Sequence, residues 1–357
     1  MYIRFYEIFF LYYKKIHMIR FGYACINTEL SAKNVRTGRT MIDKKFRLGG
    51  LQLAGEIALA NARDLLTILE WNEANGISLF RIGSELFPRW NHYELADLPQ
   101  ISDIAQHLRA AGDYAKAHGH RITTHPGPFH ILGSPDARVV DNSLVSLERH
   151  AELFDLMGFE PSFENKINIH IGSTYGDKDA TIARWLTNWD RLSDSVKRRL
   201  VIENDDKASM YSVRDLYERV HSQIDIPITF DYWHHTFNTG DLSEEEAFFM
   251  ARSTWQKHGV TQCTHYSESR RREAQTLIER MFEHHGISME DLESWPTFHK
   301  QYKEFTKIKE QAHADFILDL PKSYGVADLD IMVEAKAKEQ ALMRIGVECT
   351  QNRALIL

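Results

Sequence analysis

The sequence predicts an α/β fold closed as a single (β/α)8 barrel, and three observations lead there. Short β-branched or aromatic runs alternate with longer stretches of helical periodicity, the pattern of parallel strands joined by crossover helices. Eight such runs occur, the number that closes a barrel. Histidines and carboxylates recur at the ends of consecutive runs, where barrel enzymes gather their chemistry.

The runs follow in order. IRFGYA (19–24) leads to a helical stretch from about Gln52 to Glu73, and SLFRIG (78–83) to one near Ile101 to His118. RITTH (121–125) precedes a helix near Asn142 to Met157, and INIHIG (167–172) one near Asp179 to Asp190. LVIEN (200–204) precedes a helix beginning near Ser212, and ITFD (228–231) one near Ser243 to His258. VTQCTHYS (260–267) and DLDIMVEA (328–335) complete the set, separated by a charged, mostly helical stretch, roughly 268–311, read as an excursion above the barrel.

With 357 residues, 43% of them hydrophobic, the chain can bury one large core. Residues 18–345 read as one barrel domain, with 346–357 as a tail. Residues 1–17, MYIRFYEIFFLYYKKIH, read as an extension outside the fold: Arg4 and Glu7 interrupt any apolar stretch and no cleavage site follows, so translation is expected to begin at Met18. A membrane-surface anchor is the alternative for that segment. Three scattered cysteines, Cys25, Cys263 and Cys349, give neither a disulfide framework nor a thiolate zinc site, and a cytoplasmic location is expected. A net charge of -7 argues against a protein that simply coats nucleic acid. Carboxylates gathered around divalent ions, however, count as negative in that sum while the local field is positive.

The strand ends carry the chemistry. The third run ends in His125, the fourth carries His170, the fifth Glu203, the sixth Asp231 followed by His234 and His235, the seventh His265 and the eighth Glu334; His313 lies shortly before the eighth. A single strand-end histidine is ordinarily a hydrogen-bonded structural residue. Several carboxylates converging on one barrel mouth, in contrast, repel one another unless cations lie between them. Imidazole and carboxylate without thiolate suit Zn, Mn or Fe better than Mg, Ca or copper. The cluster exceeds the needs of one ion, and two or three ions close together are the usual device for hydrolysing phosphate esters. A metal that polarises a sugar carbonyl for isomerisation is the rival chemistry. Two further motifs bear on the choice: HPGPF (125–129) places Phe129 on a rigid loop, suited either to wedging into a base stack or to loop packing, and MVEAKAKEQ (332–340) puts Lys336 and Lys338 beside Glu334, suited to phosphates or to solvent.

From Met18 onward the chain resembles the UV damage endonuclease family, relatives of endonuclease IV in the xylose-isomerase-like barrel superfamily. The resemblance rests on IRFGYACIN (19–27), LFRIGSELFP (79–88), THPG (124–127), IHIGSTYGDK (169–178), IENDDK (202–207), FDYWHH (230–235), THYSES (264–269), HADFI (313–317) and MVEAKAKEQ (332–340). It implies hydrolysis of the phosphodiester 5′ to UV photoproducts in duplex DNA, the opening step of excision repair, with Mn²⁺ as the ion and no obligate protein partner. It also implies roles for residues. Glu203 bridges two ions, His125 and His170 complete the first, Asp231, His265 and Glu334 hold the second, and His234 with His313 the third; Glu203, Asp231 and Glu334 form the catalytic core. Tyr23 and Asn27 match residues that probe the damaged duplex, and Pro128 and Phe129 occupy lesion-contact positions where the family commonly has Gln and Tyr. Cys263 stands where some members carry a metal-associated lysine, and Glu85 where some have His. The readings left open beside this one are a sugar isomerase, an endonuclease IV-like abasic-site nuclease and a lesion-binding module that does not cut.

Overall fold

The computed structural model describes residues 18–286, 292–323 and 325–345, so the expectations for 1–17 and 346–357 lie outside the described residues. Eight parallel strands form one sheet in the order β6-β5-β4-β3-β2-β1-β8-β7. They are β1 Ile19–Ala24, β2 Leu79–Ile82, β3 Arg121–Thr124, β4 Ile167–His170, β5 Leu200–Glu203, β6 Ile228–Thr229, β7 Cys263–Tyr266 and β8 Leu329–Val333. The ring closes where Asp231 and His265 form a parallel bridge and the His265 amide donates to the Phe230 carbonyl at 3.0 Å. The fold is therefore the predicted (β/α)8 barrel.

Side chains alternate across each strand, and that alternation sorts the barrel into layers. Tyr23, Phe80, Ile122, Ile167, Ile202, Ile228 and Ile331 join the large core between strands and surrounding helices. Ala24, Leu79, Val201, Cys263 and Met332 form a smaller apolar layer with Trp255. Toward the strand N-termini, Asp330 accepts from Arg20 Nε at 2.7 Å and from Arg121 Nη1 at 2.6 Å, an ionic plug with both Arg121 and Asp330 buried. Toward the C-termini stand the histidines and carboxylates. Gly22 allows β1 to lie against β2: a Cβ there would sit 2.2 Å from the Leu79 carbonyl oxygen.

The outer helices include Asp43–Ala74, Ile101–Ala117, Ala137–Leu156, Lys178–Trp189 and Glu244–Gln256. The first begins at Asp43 rather than near Gln52, because it runs across a kink at Gly50, whose φ is 55°. The helix after β5 starts from a capping box at Ser212, as its sequence position suggested.

After β7 the chain leaves the C-terminal face as two helices, Arg270–His285 and Pro296–Thr306. Its root is clamped: Ser269 and His313 form an antiparallel bridge, Arg270 N donates to Ala312 O at 2.9 Å, and Ala314 N donates to Glu268 O at 2.9 Å. The excursion thus returns His313 to the face it left. Among the described residues, no helix is long and apolar enough to cross a membrane.

Candidate metal centre

The strand ends bring seven of the eight expected ligands into direct proximity, with Glu203 at the centre. Register does much of this: β4 and β5 pair His170 with Glu203, and the barrel-closing bridge sets Asp231 beside His265. Glu203 Oε2 lies 3.0 Å from His125 Nε2 and 3.7 Å from His170 Nε2. Glu203 Oε1 lies 3.1 Å from His265 Nδ1 and 3.4 Å from His234 Nδ1. Glu334 Oε1 is 3.3 Å from His265 Nδ1. Three overlapping groups have donor atoms close enough for a shared cation: His125 with Glu203 and His265, His170 with Glu203 and His234, and Asp231 with His265 and Glu334. His313 stands at the rim, Nδ1 4.0 Å from Glu334 Oε2 and its ring 6.2 Å from that of His234, and belongs to none of those groups.

His234 Nδ1 meets the Asn204 carbonyl at 2.9 Å on the side that also faces Glu203, and His170 Nδ1 lies 3.1 Å from Asp205 Oδ1 without hydrogen-bond geometry, whereas His125 is held from behind, its Nδ1 3.0 Å from the Pro126 carbonyl. Occupying one ring nitrogen in this way fixes tautomer and orientation and raises the basicity of the other, the arrangement usual for metal-ligating histidine. Asp231 acts as N-cap of the short helix Tyr232–His235, accepting from His234 N at 2.8 Å through Oδ1. Its Oδ2 is buried with no hydrogen-bond partner, His234 Nδ1 being 3.8 Å away. A buried carboxylate oxygen without a donor is costly, and a divalent cation shared with His265 and Glu334 would satisfy it. The donor set therefore fits divalent metal.

The charges of the protein alone point the same way. Burial pushes the Asp231 carboxyl up to about 7, with the like charges of Glu203 and Glu334 adding to it against the pull of His234. Burial opposes a charge on His170, but the Glu203 and Asp205 carboxylates outweigh it and raise the imidazole to about 10. Glu334 is likewise desolvated, yet the Arg81 guanidinium in contact with it holds it well below the usual carboxylate range. Three carboxylates at one mouth are thus tolerated only with positive charge among them.

Several members of this site were not picked out from the sequence. Arg81, the one charged residue of β2, contacts Glu334. Asn168 Nδ2 donates to Glu203 Oε2, and Lys166 Nζ lies 3.1 Å from Asn168 Oδ1, 2.9 Å from Thr229 Oγ1 and 3.1 Å from His265 Nε2. Lys166, Asn168 and His170 share the inward parity of one strand, the signal that could have found them. Cys263, two residues before His265, packs in the apolar layer with Leu79 and Met332, so the amine that meets His265 comes instead from Lys166, just before β4. His235 is a core residue, its ring 5.3 Å from Phe230.

Tyr23 and Asn27, expected to probe the damaged duplex, are both buried in the DNA-free protein. Parity turns Tyr23 away from the barrel axis, onto the helix layer, where its hydroxyl donates to Asn72 Oδ1 at 2.8 Å and accepts from Asn27 Nδ2 at 3.0 Å. Asn27 Oδ1 caps the short helix Thr28–Ala32 by accepting from Leu30 N at 2.9 Å, and both side chains are buried. They brace the loop after β1. Pro128 and Phe129 are placed differently: both are exposed, Phe129 at 84%, on the edge of a cavity of about 620 Å³ that also reaches His170, Asp205 and His234. Lys336 is exposed and Lys338 half-buried just past Glu334.

Known proteins share this architecture. The chain is 33% identical over 336 residues to the UV-damage endonuclease of Schizosaccharomyces pombe, an alignment covering 91% of this chain and 50% of that one, so it spans about half the length of that relative. It is 28% identical over 343 residues to the UV DNA damage endonuclease of Bacillus mycoides, covering 95% and 96% of the two chains. The crystal structure of SacUVDE superposes with a TM-score of 0.72 at 28% identity, covering 94% of this chain and 99% of that one. The model of the family described as UV-endonuclease UvdE matches residues 19–355, and with that match across the whole barrel the chain belongs to the UvdE family.

Proposed function

We propose that the protein is a divalent-metal-dependent endonuclease that hydrolyses the phosphodiester 5′ to UV photoproducts in double-stranded DNA and so begins their excision. The observation that carries this reading is the convergence of His125, His170, His234, His265, Asp231 and Glu334 on Glu203 beside a cavity edged by an exposed aromatic. Damage specificity is taken from the family relatives.

In this reading His125, His170, Glu203 and His234 hold one side of the centre, and Asp231, His265 and Glu334 the other, with Mn²⁺ as the resident ion. His313 adds a donor at the rim. Bound divalent ions would supply charge stabilisation at the scissile phosphate and a water of lowered pKa. The chain's own groups orient that chemistry. Glu203, Asp231 and Glu334 concentrate negative charge where cations must sit, while Asn168 and Lys166 fix the carboxylate of Glu203 and the ring of His265. Phe129, presented by the two prolines of HPGPF, wedges into the base stack at the lesion, and Lys336 and Lys338 take flanking phosphates. Phe129 lacks the hydroxyl and Pro128 the amide common at these positions in relatives, so lesion selection leans on shape rather than on hydrogen bonds to bases.

The test is a duplex carrying one pyrimidine dimer, end-labelled on the damaged strand. With Mn²⁺ the expected product is a single break immediately 5′ to the dimer, absent from the undamaged duplex. Cleavage only at abasic sites would replace this reading with the endonuclease IV-like one.

A further inference from the structure

A second cavity, of about 540 Å³, adjoins the one over the metal ligands, and Phe129, His130 and Ile131 line both. Phe129 is thus a partition. On its far side the cavity is walled by Asn91, His92, Val139, Asn142, Ser143 and Tyr175. No Asp, Glu, Lys or Arg lines it, so neither a cation nor a phosphate is its natural occupant.

Tyr175 is held out deliberately. It is 45% exposed and sits at φ 49°, a left-handed backbone that residues with a side chain seldom adopt. Its loop is pinned from below: the Thr181 hydroxyl donates to the Thr174 carbonyl at 2.7 Å, and Asp177 N donates to the same carbonyl at 2.9 Å. Arg184, fixed by donating to Gly133 O at 2.8 Å and to Thr181 Oγ1 at 2.9 Å, backs the tyrosine ring with its guanidinium 5.8 Å from the ring centre. The Phe129 loop is equally anchored, because His130 Nδ1 lies 2.6 Å from the Gly127 carbonyl and His130 Nε2 2.7 Å from Ser146 Oγ. Two preorganised aromatics on the loops after β3 and β4 therefore flank one uncharged slot with neutral amides in its wall. Flat apolar walls with neutral hydrogen-bonding groups match a nucleobase.

We propose that this slot receives one unstacked base of the duplex, on the side of Phe129 away from the metal centre, with Tyr175 as its stacking platform. The proposal rests on the DNA endonuclease reading above.

The test uses the full chain in EDTA with a single-dimer duplex in which 2-aminopurine is moved through the positions opposite and flanking the lesion. Wild type is expected to give a fluorescence change on binding at one position. Tyr175→Ala should abolish that change and weaken binding about 10-fold, the scale of one base–aromatic stack, while Tyr175→Phe keeps both. The slope of affinity against salt should not move, since no phosphate contact is lost. Unchanged fluorescence and affinity in Tyr175→Ala, or a reduced salt slope, would overturn the slot while leaving the endonuclease reading intact. If wild type shows no preference for the damaged duplex and no incision with Mn²⁺, both readings fall.

Discussion

Replacing Glu203 with Gln is expected to lower incision of damaged duplex by about 10²–10³-fold, the scale seen when a group stabilising charge at the reacting centre is removed. Both carboxylate oxygens are in use: Oε2 faces His125 and Asn168, and Oε1 faces His265 and His234. An amide can present an acceptor to one pair only, and its NH2 then blocks the other. The same substitution removes a carboxylate that is desolvated by burial yet held well below the usual range by His265, His170 and His125, so the metal-free variant should melt somewhat below wild type. What it should lose is the rise in Tm that added Mn²⁺ gives the parent, because a ligand stabilises only the state that binds it. Calorimetry on both proteins, with and without Mn²⁺, separates loss of the site from loss of the fold.

The largest effect on stability is expected at the opposite end of the barrel. Asp330 accepts from Arg20 through both of its oxygens at 2.7 Å and from Arg121 at 2.6 Å. Arg121 also donates to the carbonyls of Glu164, Thr261 and Phe163 and lies over the Trp255 ring. Asp330→Asn leaves the buried Arg121 and the part-buried Arg20 with only Glu164, 3.9 Å and 2.8 Å away, as counter-charge, a change that costs about 3 kcal/mol and should lower Tm by roughly 4 °C. Because this plug is separated from the ligands by the apolar layer of Leu79, Val201, Cys263 and Met332, incision per folded molecule should be unchanged well below that temperature. An unaltered Tm would show that the plug does not hold the barrel base.

These residues also show how far the sequence could be read. All eight strands were legible because runs such as IRFGYA and INIHIG are bounded by polar segments and repeat with the spacing of βα units. Their ends were less so. VTQCTHYS reads as a strand from 260, yet pairing begins at Cys263, since apolar character extends beyond the reach of the ladder. The first long helix begins before the start its periodicity predicts, because DKKFRLGG shows no amphipathic period and its glycine pair reads as a stop, whereas Gly50 only kinks the helix.

In the site, residue type points to the candidate ligands but not to their supports. Histidines and carboxylates at strand ends stand out. Arg81, Lys166 and Asn168 belong to types that are ordinarily solvated, and only their inward parity betrays them. Parity also sets the surroundings of Tyr23: it shares the outward face with Ile19 and Phe21 and packs under the first long helix in the DNA-free protein.

The measurement that bears most directly on the central claim is nicking of supercoiled plasmid, irradiated and unirradiated, by the metal-stripped full chain before and after Mn²⁺ is restored. The expected result is no nicking without metal and, with Mn²⁺, nicking confined to the irradiated plasmid. Equal nicking of both plasmids, or undiminished nicking in the presence of chelator, would contradict a metal centre built at this barrel mouth to cut beside UV damage.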